Sequence, residues 1–449
     1  MLGTDELFSI ISDIEKELAK FNLDGYAISA TSRFTHQVRF AVNKISATKT
    51  WDETGLEIII EKNQRVSTFS VGFASIKNIP KMVETALEMM KKTPPREDYS
   101  PLPEPADRYP EYPAKLDKDL LERPERLLDL AQEAIETGTS EGAKRVAGTV
   151  LANAYNFVLV TSKGFRGKNS GTNIYLDVRA FMDKESTGHA SMASSSLSGI
   201  DPKKMASIAA NDAKLSVNAR KLDPGKYNTV FTIDATASLM NLVGASSSAY
   251  AVDAGFSFLI GKLGKNIAPE NFNIIDDPLN PMGYIVRNFD DEAVPTRKTK
   301  IIENGVLKTY LHNRFTAKKF KAEHTGHAGW LTPHPWELSV SPGDMSWEEL
   351  LESIERGLIV SNATYIRFQN YVKGDFSAII RDGTFYVEHG EVKYAVKGLR
   401  LSDNVPRILS NIIGIGKEIR QVFHWWLEYG IPVITPAIAV KDVEYTKAF

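Results

Sequence analysis

With 449 residues, 43% hydrophobic and 24% charged, the chain is long enough for two to three domains with cores of their own. A net charge of −2 provides no global field toward nucleic acid or anionic lipid, and zero cysteines exclude disulfides, thiolate metal sites and cysteine nucleophiles. The first twenty residues carry acids inside their apolar pattern and no run of about 18 apolar residues follows, so neither a signal peptide nor a membrane span is expected and the location expected is cytoplasmic.

Leu7, Ile10, Ile11, Ile14 and Leu18 recur at helical spacing, which predicts an amphipathic helix with Thr4 or Asp5 as N-cap. From Asp24 to Gly72 the period becomes two. YAISATSRF, VRFAVNKI, LEIIIEK and RVSTFSVG read as short strands of an antiparallel sheet, with Asn63 in one of the turns. Asn78 to Lys92 is helical again, so residues 1–92 form an α+β unit. Residues 93–116 are proline-rich and extended, and a strap across the surface explains them better than a P-x-x-P ligand for a partner's groove.

Residues 117–222 complete the N-terminal domain. Pro124 to Ile135 is helical, and VAGTVLANAYNFVLVTSKG and NIYLDVRAFMD are strands around FRGKNSG. That segment lacks the G-x-x-x-x-G-K-[ST] order, so it reads as a hairpin loop and not a phosphate cradle. ESTGHASMASSSLSGID holds His189 among serines without a G-x-S-x-G elbow, and reads as a flexible or edge-strand segment. A helix over Pro202 to Lys221 leads to a boundary near Lys221 to Gly225.

Residues 223–449 are richer in strands. DATASLMNLVGA reads as a helix, KIIENGVLKTYL as a hairpin turning at Asn304-Gly305, and Ser346 to Leu358 as a helix. ATYIRFQNYV, DFSAIIR, TFYVEHG and EVKYAVKG form a meander with turns at Asp382-Gly383 and His389-Gly390. Val405 to Trp425 reads as a helix, and IPVITPAIAVKDVEY as a strand pair broken at Pro436. The fold class is therefore α+β, with two domains of antiparallel or mixed sheet packed with helices.

Few residues invite chemistry. His324, His327 and His334 lie close in sequence and would supply three imidazoles to a metal, but Gly326, Gly329, Pro333 and Pro335 favour a loop over a ligand-bearing helix. Asp276/Asp277 and Asp290/Asp291/Glu292 offer oxygens to a divalent cation, yet the prolines after Asp277 and Asn280 read as turn chemistry.

Taken in order, FSFLIGKLGKNIA, NIIDDPLNPMGY, NFDDEAVPTRKTKIIENGVLKTYL, TGHAGW, SVSPGDMSWEELLESIERGL and TPAIAVKDV resemble the C-terminal domain of the TldD/PmbA (TldE) family. RFAVNKI and the strands from Gly55 to Gly72 resemble its N-terminal domain. The resemblance implies a subunit that pairs with a second family member. TldD and TldE chains of that family form a cytoplasmic zinc metallopeptidase that degrades short or unfolded peptides and trims some modified-peptide precursors, and PmbA was also named as a modulator of DNA gyrase. Catalytic chains carry H-E-x-x-x-H before the block matched by GFSFLIGKLG, and a late cysteine ligand. Counting back without gaps from Gly255 puts Met240 and Ala245 at the two histidines and Asn241 at the glutamate. A thioether, a methyl and an amide supply neither the ligands nor the base that zinc hydrolysis needs. The chain thus resembles the PmbA/TldE half, with no cofactor of its own and zinc expected in a TldD-type partner. A heterodimer with that partner or a homodimer, and a peptide or unfolded-protein substrate, follow from the resemblance; nucleic acid and membrane do not. Asp290, Asp291, Glu292, His324 and His327 are the candidates for substrate-cavity lining. The alternative is a self-sufficient hydrolase with its metal at His324, His327 and His334.

Overall fold

The computed structural model describes residues 1–111, 116–423 and 431–448. Helix α1 (Thr4–Leu18) buries Leu7, Ile11, Ile14 and Leu18. Its N-cap is Gly3, not Thr4 or Asp5, and the Gly3 amide donates to the Glu6 carboxylate at 2.7 Å. The meander has three long strands in place of four short runs: β1 (Gly25–Ala41), β2 (Lys44–Lys62) and β3 (Arg65–Gly72). Polar Thr35 and His36 pair with Trp51 and Thr50 of β2, so polarity in mid-strand marks ladder positions and not turns. The turns are Val42-Asn43 (φ 52° and 61°) and Asn63-Gln64 (φ 49° and 60°). Two successive left-handed residues give the hairpin turn whose twist matches its strands.

After α2 (Ile79–Lys91), the proline-rich segment lies along the protein: Leu102 is buried, the Tyr99 hydroxyl donates to Glu61 at 3.2 Å and the Tyr109 hydroxyl to the Ala293 carbonyl at 2.8 Å. Next come α3 (Lys118–Glu122), α4 (Glu125–Ser140), β4 (Arg145–Thr161), β5 (Arg166–Phe181), β6 (Thr187–Ser194) and α5 (Pro202–Leu215). FRGKNSG is not a loop, since β5 begins at Arg166 and the turn is residues 162–165, with Gly164 at φ 89°. Helix α5 stops at Leu215, short of Lys221, because Asn218 turns left-handed (φ 60°) and Arg220–Lys221 is a strand, β7. The first six strands form one antiparallel sheet in the order β3-β2-β1-β4-β5-β6, which leaves the serine-rich β6 at an edge.

One face of that sheet carries the helices. Ile28, Ile58 and Val158 pack with α1 and α2, while Val38, Phe40, Val150 and Leu176 pack with α4 and α5 further along the same long strands. Ala27, Ile59 and Leu159 point the other way, onto Phe289 and Ala293 of the C-terminal half. Burial of both faces explains the unbroken apolar runs Ile58-Ile59-Ile60 in β2 and Phe157 to Val160 in β4.

The C-terminal half contains β8 (Gly225–Phe231), α6 (Ile233–Ser246), α7 (Ala249–Asp253), β9 (Ile274–Asp276), β10 (Thr299–Glu303), β11 (Val306–Leu307), α8 (Arg314–Phe320), β12 (Leu338–Val340) and α9 (Trp347–Ser353). It continues with β13 (Arg356–Asn370), β14 (Asp375–Glu388), β15 (Glu391–Lys397), β16 (Leu399–Asn404), α10 (Val405–Ser410), β17 (Ile412–Val422) and β18 (Val433–Lys447). Together with β7 these strands make a twelve-stranded mixed sheet, in which β18 runs parallel to β12 and antiparallel to β8. The fold is α+β with antiparallel and mixed sheets, as expected. No helix among the described residues is long and apolar enough to cross a membrane.

Four expectations in this half fail. The helix from Ser346 ends at Ser353, and Leu358 is buried in β13. DFSAIIR and TFYVEHG are one strand, β14, with Asp382-Gly383 (φ 58° and 123°) as a kink within it. Most of the helix expected over Val405 to Trp425 is β17; the glycines and β-branched isoleucines of IIGIG favour strand over helix, and residues 424 and 425 lie outside the described residues. The last strand passes through Pro436 unbroken. Pro436 faces Ile419 beside a register shift in the β17 ladder, where its missing N–H is tolerated.

The β6–α5 contact is close enough to test. A Cβ at Gly188 would lie 2.0 Å from the Ala209 carbonyl oxygen, so Gly188→Ala is expected to destabilise the protein by about 1–3 kcal/mol, measured by the shift of the urea midpoint at unchanged slope.

Candidate functional site

Helix α6 is buried almost all round, from Asp234 to Gly244 without a break, as expected of a helix apolar on every side. Met240 is fully buried and belongs to the C-terminal core with Leu239, Val243 and Leu338. The Asn241 side-chain amide donates back to the Ala237 carbonyl at 3.1 Å, and Ala245 is exposed. A thioether sealed in the core, an amide bonded to its own helix and a methyl group do not fit zinc. Among the described residues no group of three or more His, Asp or Glu is arranged to hold a metal ion.

The segments FDDEAVP and TGHAGW do come together. Asp290, Asp291, Glu292 and His327 are buried and His324 nearly so. His324 Nε2 lies 2.9 Å from Glu292 and 3.7 Å from Asp290. The Ala328 amide donates to Asp290 at 2.9 Å, and Asp290 also accepts from the amides of Glu292 (3.0 Å) and Val294 (2.9 Å), so this carboxylate is the hub that closes both loops. His327 turns elsewhere, with Nε2 2.8 Å from Asp276, whose other oxygen accepts from the Glu337 amide at 2.8 Å. His334 meets Trp336 edge to face (centroids 4.4 Å apart, planes at 66°) with Nδ1 3.2 Å from the Thr332 carbonyl. The three histidines named for a relocated metal thus hold three different sets of protein partners.

Charge ties this network to the N-terminal sheet. Arg314, at the start of α8, lies against Glu61 of β2 and 3.1 Å from Glu292, with all three side chains buried. The guanidinium meets both carboxylates within ion-pair distance but off the line of its N–H bonds, so charge rather than an aligned fork holds it. Arg287 pairs with Asp291 at 2.6 Å and stacks on Trp336 and on Phe157 of β4. Burial pushes Asp290 up to about 6, with His324 opposing the rise. Burial acts on Glu292 in the same sense, but the His324 hydrogen bond and Arg314 outweigh it and hold that carboxyl below its usual range. Periodicity and motif spacing gave no sign of Arg314, Glu61 or Glu337, whose partners lie tens to hundreds of residues away, nor of Arg287, which is four residues from Asp291 but outside any helix that such spacing would mark.

Two family models match. Residues 114–217 fit the "PmbA/TldA metallopeptidase central domain" and residues 224–447 the "PmbA/TldA metallopeptidase C-terminal domain". The chain belongs to the PmbA/TldD family. It is 30% identical to metalloprotease PmbA of Escherichia coli O157:H7 over 204 residues, 45% of this chain and 44% of that one. A metalloprotease of Methanocaldococcus jannaschii is 33% identical over 218 residues, 47% and 48% of the two chains. The chain thus spans about half the length of the curated relatives it matches. The fold matches TldE from Thermococcus kodakarensis with a TM-score of 0.84 at 23% identity, covering 97% of this chain and all of that one. It matches a Thermotoga maritima protein described as a modulator of a DNA gyrase with a TM-score of 0.82 at 24% identity, covering 98% and 99%.

The bridge between the halves predicts a measurable cost. Arg314→Met leaves Glu61 buried without its cation and Glu292 with His324 alone, and is expected to destabilise by about 3–5 kcal/mol in urea unfolding. Adding Glu61→Gln should recover roughly 1 kcal/mol or more, as a coupled pair requires.

Proposed function

We propose that this chain is the PmbA/TldE-type subunit of a cytoplasmic peptidase complex: it builds part of the peptide-holding chamber, while a TldD-type partner carries the zinc and cleaves. The observation that carries this reading is the chemistry of α6. At the position where the resemblance puts H-E-x-x-x-H, Met240 is core, Asn241 is bonded within the helix and Ala245 has no donor atom. The loops of FDDEAVP and TGHAGW support it too, since their acids and histidines are spent on one another and on Arg287, Arg314 and Asp276, as befits a scaffold. The Thermococcus TldE likeness fits the same assignment. On this reading the natural assembly is a heterodimer and the substrate a short or unfolded peptide presented as an added strand.

The relocated-metal alternative finds no support in geometry, because His324, His327 and His334 face Glu292, Asp276 and Thr332 in turn. Purified chain is expected to hold less than about a tenth of an equivalent of zinc by elemental analysis, and to cleave unfolded peptide only after a TldD-type chain is added. One tightly bound zinc per chain, with cleavage by the chain alone and its loss in His327→Ala, would refute the reading.

A further inference from the structure

A cavity of about 340 Å³ opens where α5, the start of α6, α9 and β17 meet, away from the loops described above. That size is at the small end of ligand pockets, roughly 300–1,000 Å³. Its walls are apolar: Trp347, Leu350, Leu351, Ile359 and Phe385. Its floor is polar, formed by His189, Asp212, Asp234, Ser361 and Arg420.

Most of that floor is already paired. His189 Nε2 lies 2.6 Å from Asp177, and its Nδ1 is 2.9 Å from the Asn362 amide. Asp234 accepts from the Ser191 amide at 3.1 Å and pairs with Arg420. Nearby Asp382 pairs with Arg179 at 2.5 Å, accepts from Thr187 at 2.6 Å and has Arg381 at 3.4 Å. Two groups are left over. Asp212 faces the cavity with no ion-pair partner among the described residues, and Ser361, 3% exposed, lays its buried hydroxyl against that carboxylate with no other partner among them. These two lie side by side, since a Cβ at Gly383 would be 2.6 Å from the Ser361 hydroxyl and 3.0 Å from Asp212 Oδ2.

A carboxylate without a cation, with only a hydroxyl against it, at the base of an apolar funnel selects a particular chemistry. We propose that the cavity binds an organic cation, an ammonium on an apolar alkyl or aryl stem, with the charge on Asp212 and Ser361 and the stem against Trp347 and Phe385. An anion meets the wrong sign at Asp212, and a neutral apolar molecule leaves that carboxylate desolvated without return. Burial pushes the Asp212 carboxyl up to about 7, with Ser361 opposing and the Asp234 and Asp382 carboxylates adding to the rise. His189 also opposes it, and Arg420, Lys417 and Glu418 face the cavity from β17. A cation binds the ionised form, so affinity should strengthen as pH rises through 7 while an alkyl ammonium, with pKa near about 10, keeps its charge.

Isothermal titration calorimetry of the full chain with 2-phenylethylamine tests this, with 2-phenylethanol as neutral isostere. The amine should bind at pH 7.5 at least about ten times tighter than the alcohol and weaken roughly eight-fold at pH 6. Asp212→Asn should lose about ten-fold or more while keeping or raising the unfolding temperature, because it removes a buried charge; Leu351→Trp, which fills the cavity, should abolish binding. A free-amino-terminal tripeptide and its acetylated form separate the two sources: binding of the former alone adds peptide ends to the ligand class, and binding of the amine alone restricts it to free amines. Equal affinity for amine and alcohol, unchanged amine binding in folded Asp212→Asn, or no heat with millimolar amine would each overturn the proposal.

Discussion

The structure depends on how its two sheets share buried charge. Apolar contact between the halves, through Ile59, Leu159 and Phe289, supplies attraction but little orientation. Orientation comes from Arg314, which is held between Glu61 of the first sheet and Glu292 of the second half. Each of these groups would be costly to bury alone, and the desolvation penalty is offset only when all three meet. Asp382 with Arg179 and Thr187, and Asp234 with the Ser191 amide, impose the same condition at the far side of the junction. A slip of one half against the other breaks several such pairs at once, whereas the apolar surfaces alone would tolerate it.

Within that frame, α6 is the element that most repays a chemical reading. Its neighbours are β13, β17 and β18 and the core they enclose, so nearly every side chain along it is consumed by packing. Gly244 permits the closest approach, since a Cβ there would stand 3.0 Å from Leu338. A helix this enclosed has little room for solvated ligands, and Met240 fills its place as an unbranched apolar side chain does in any core. The same enclosure that stabilises the helix therefore removes it from metal chemistry.

Much of this was legible in the sequence. Periodicity located α1 and α2 well and began α5 at the right residue while running it six residues too far, the Asn304-Gly305 turn marked β10-β11, and the alternation through residues 24–72 identified an antiparallel sheet. It failed where a local signal had two meanings. Thr35 and His36 read as a break between strands but are ladder residues, Thr35 buried against Asn153, and Asp382-Gly383 reads as a turn but is a kink held by Arg179 and Thr187 from the other half. IIGIG has the spacing of a helix face and the residue preferences of a strand, and β18 decided between them. FDDEAVP and TGHAGW were recognisable as belonging together, but not that Arg314 would join them to Glu61, more than two hundred residues earlier. His189 was noted for its serine neighbours, whereas its actual partners are Asp177 and Asn362. Such pairings are set by topology, which no local window contains.

The cavity beside α9 follows from the same geometry and is not a packing defect. Where β6, β14 and α5 converge, Gly383 sits at φ 123°, and any side chain there would strike Ser361 and Asp212. Gly188 on the adjoining strand likewise admits the α5 backbone closely enough to bring Asp212 toward the junction. Small residues at these two points draw the polar floor together, while the larger Trp347, Leu351 and Phe385 stand back as walls. A void left by poor packing would be lined by whatever side chains failed to reach it, and would be apolar throughout. This one gathers three carboxylates within reach of one another, partners Asp234 and Asp382 with arginines, and leaves Asp212 facing the open volume. That pattern is built by backbone constraint, and it places a carboxylate without a cation where a ligand can reach it.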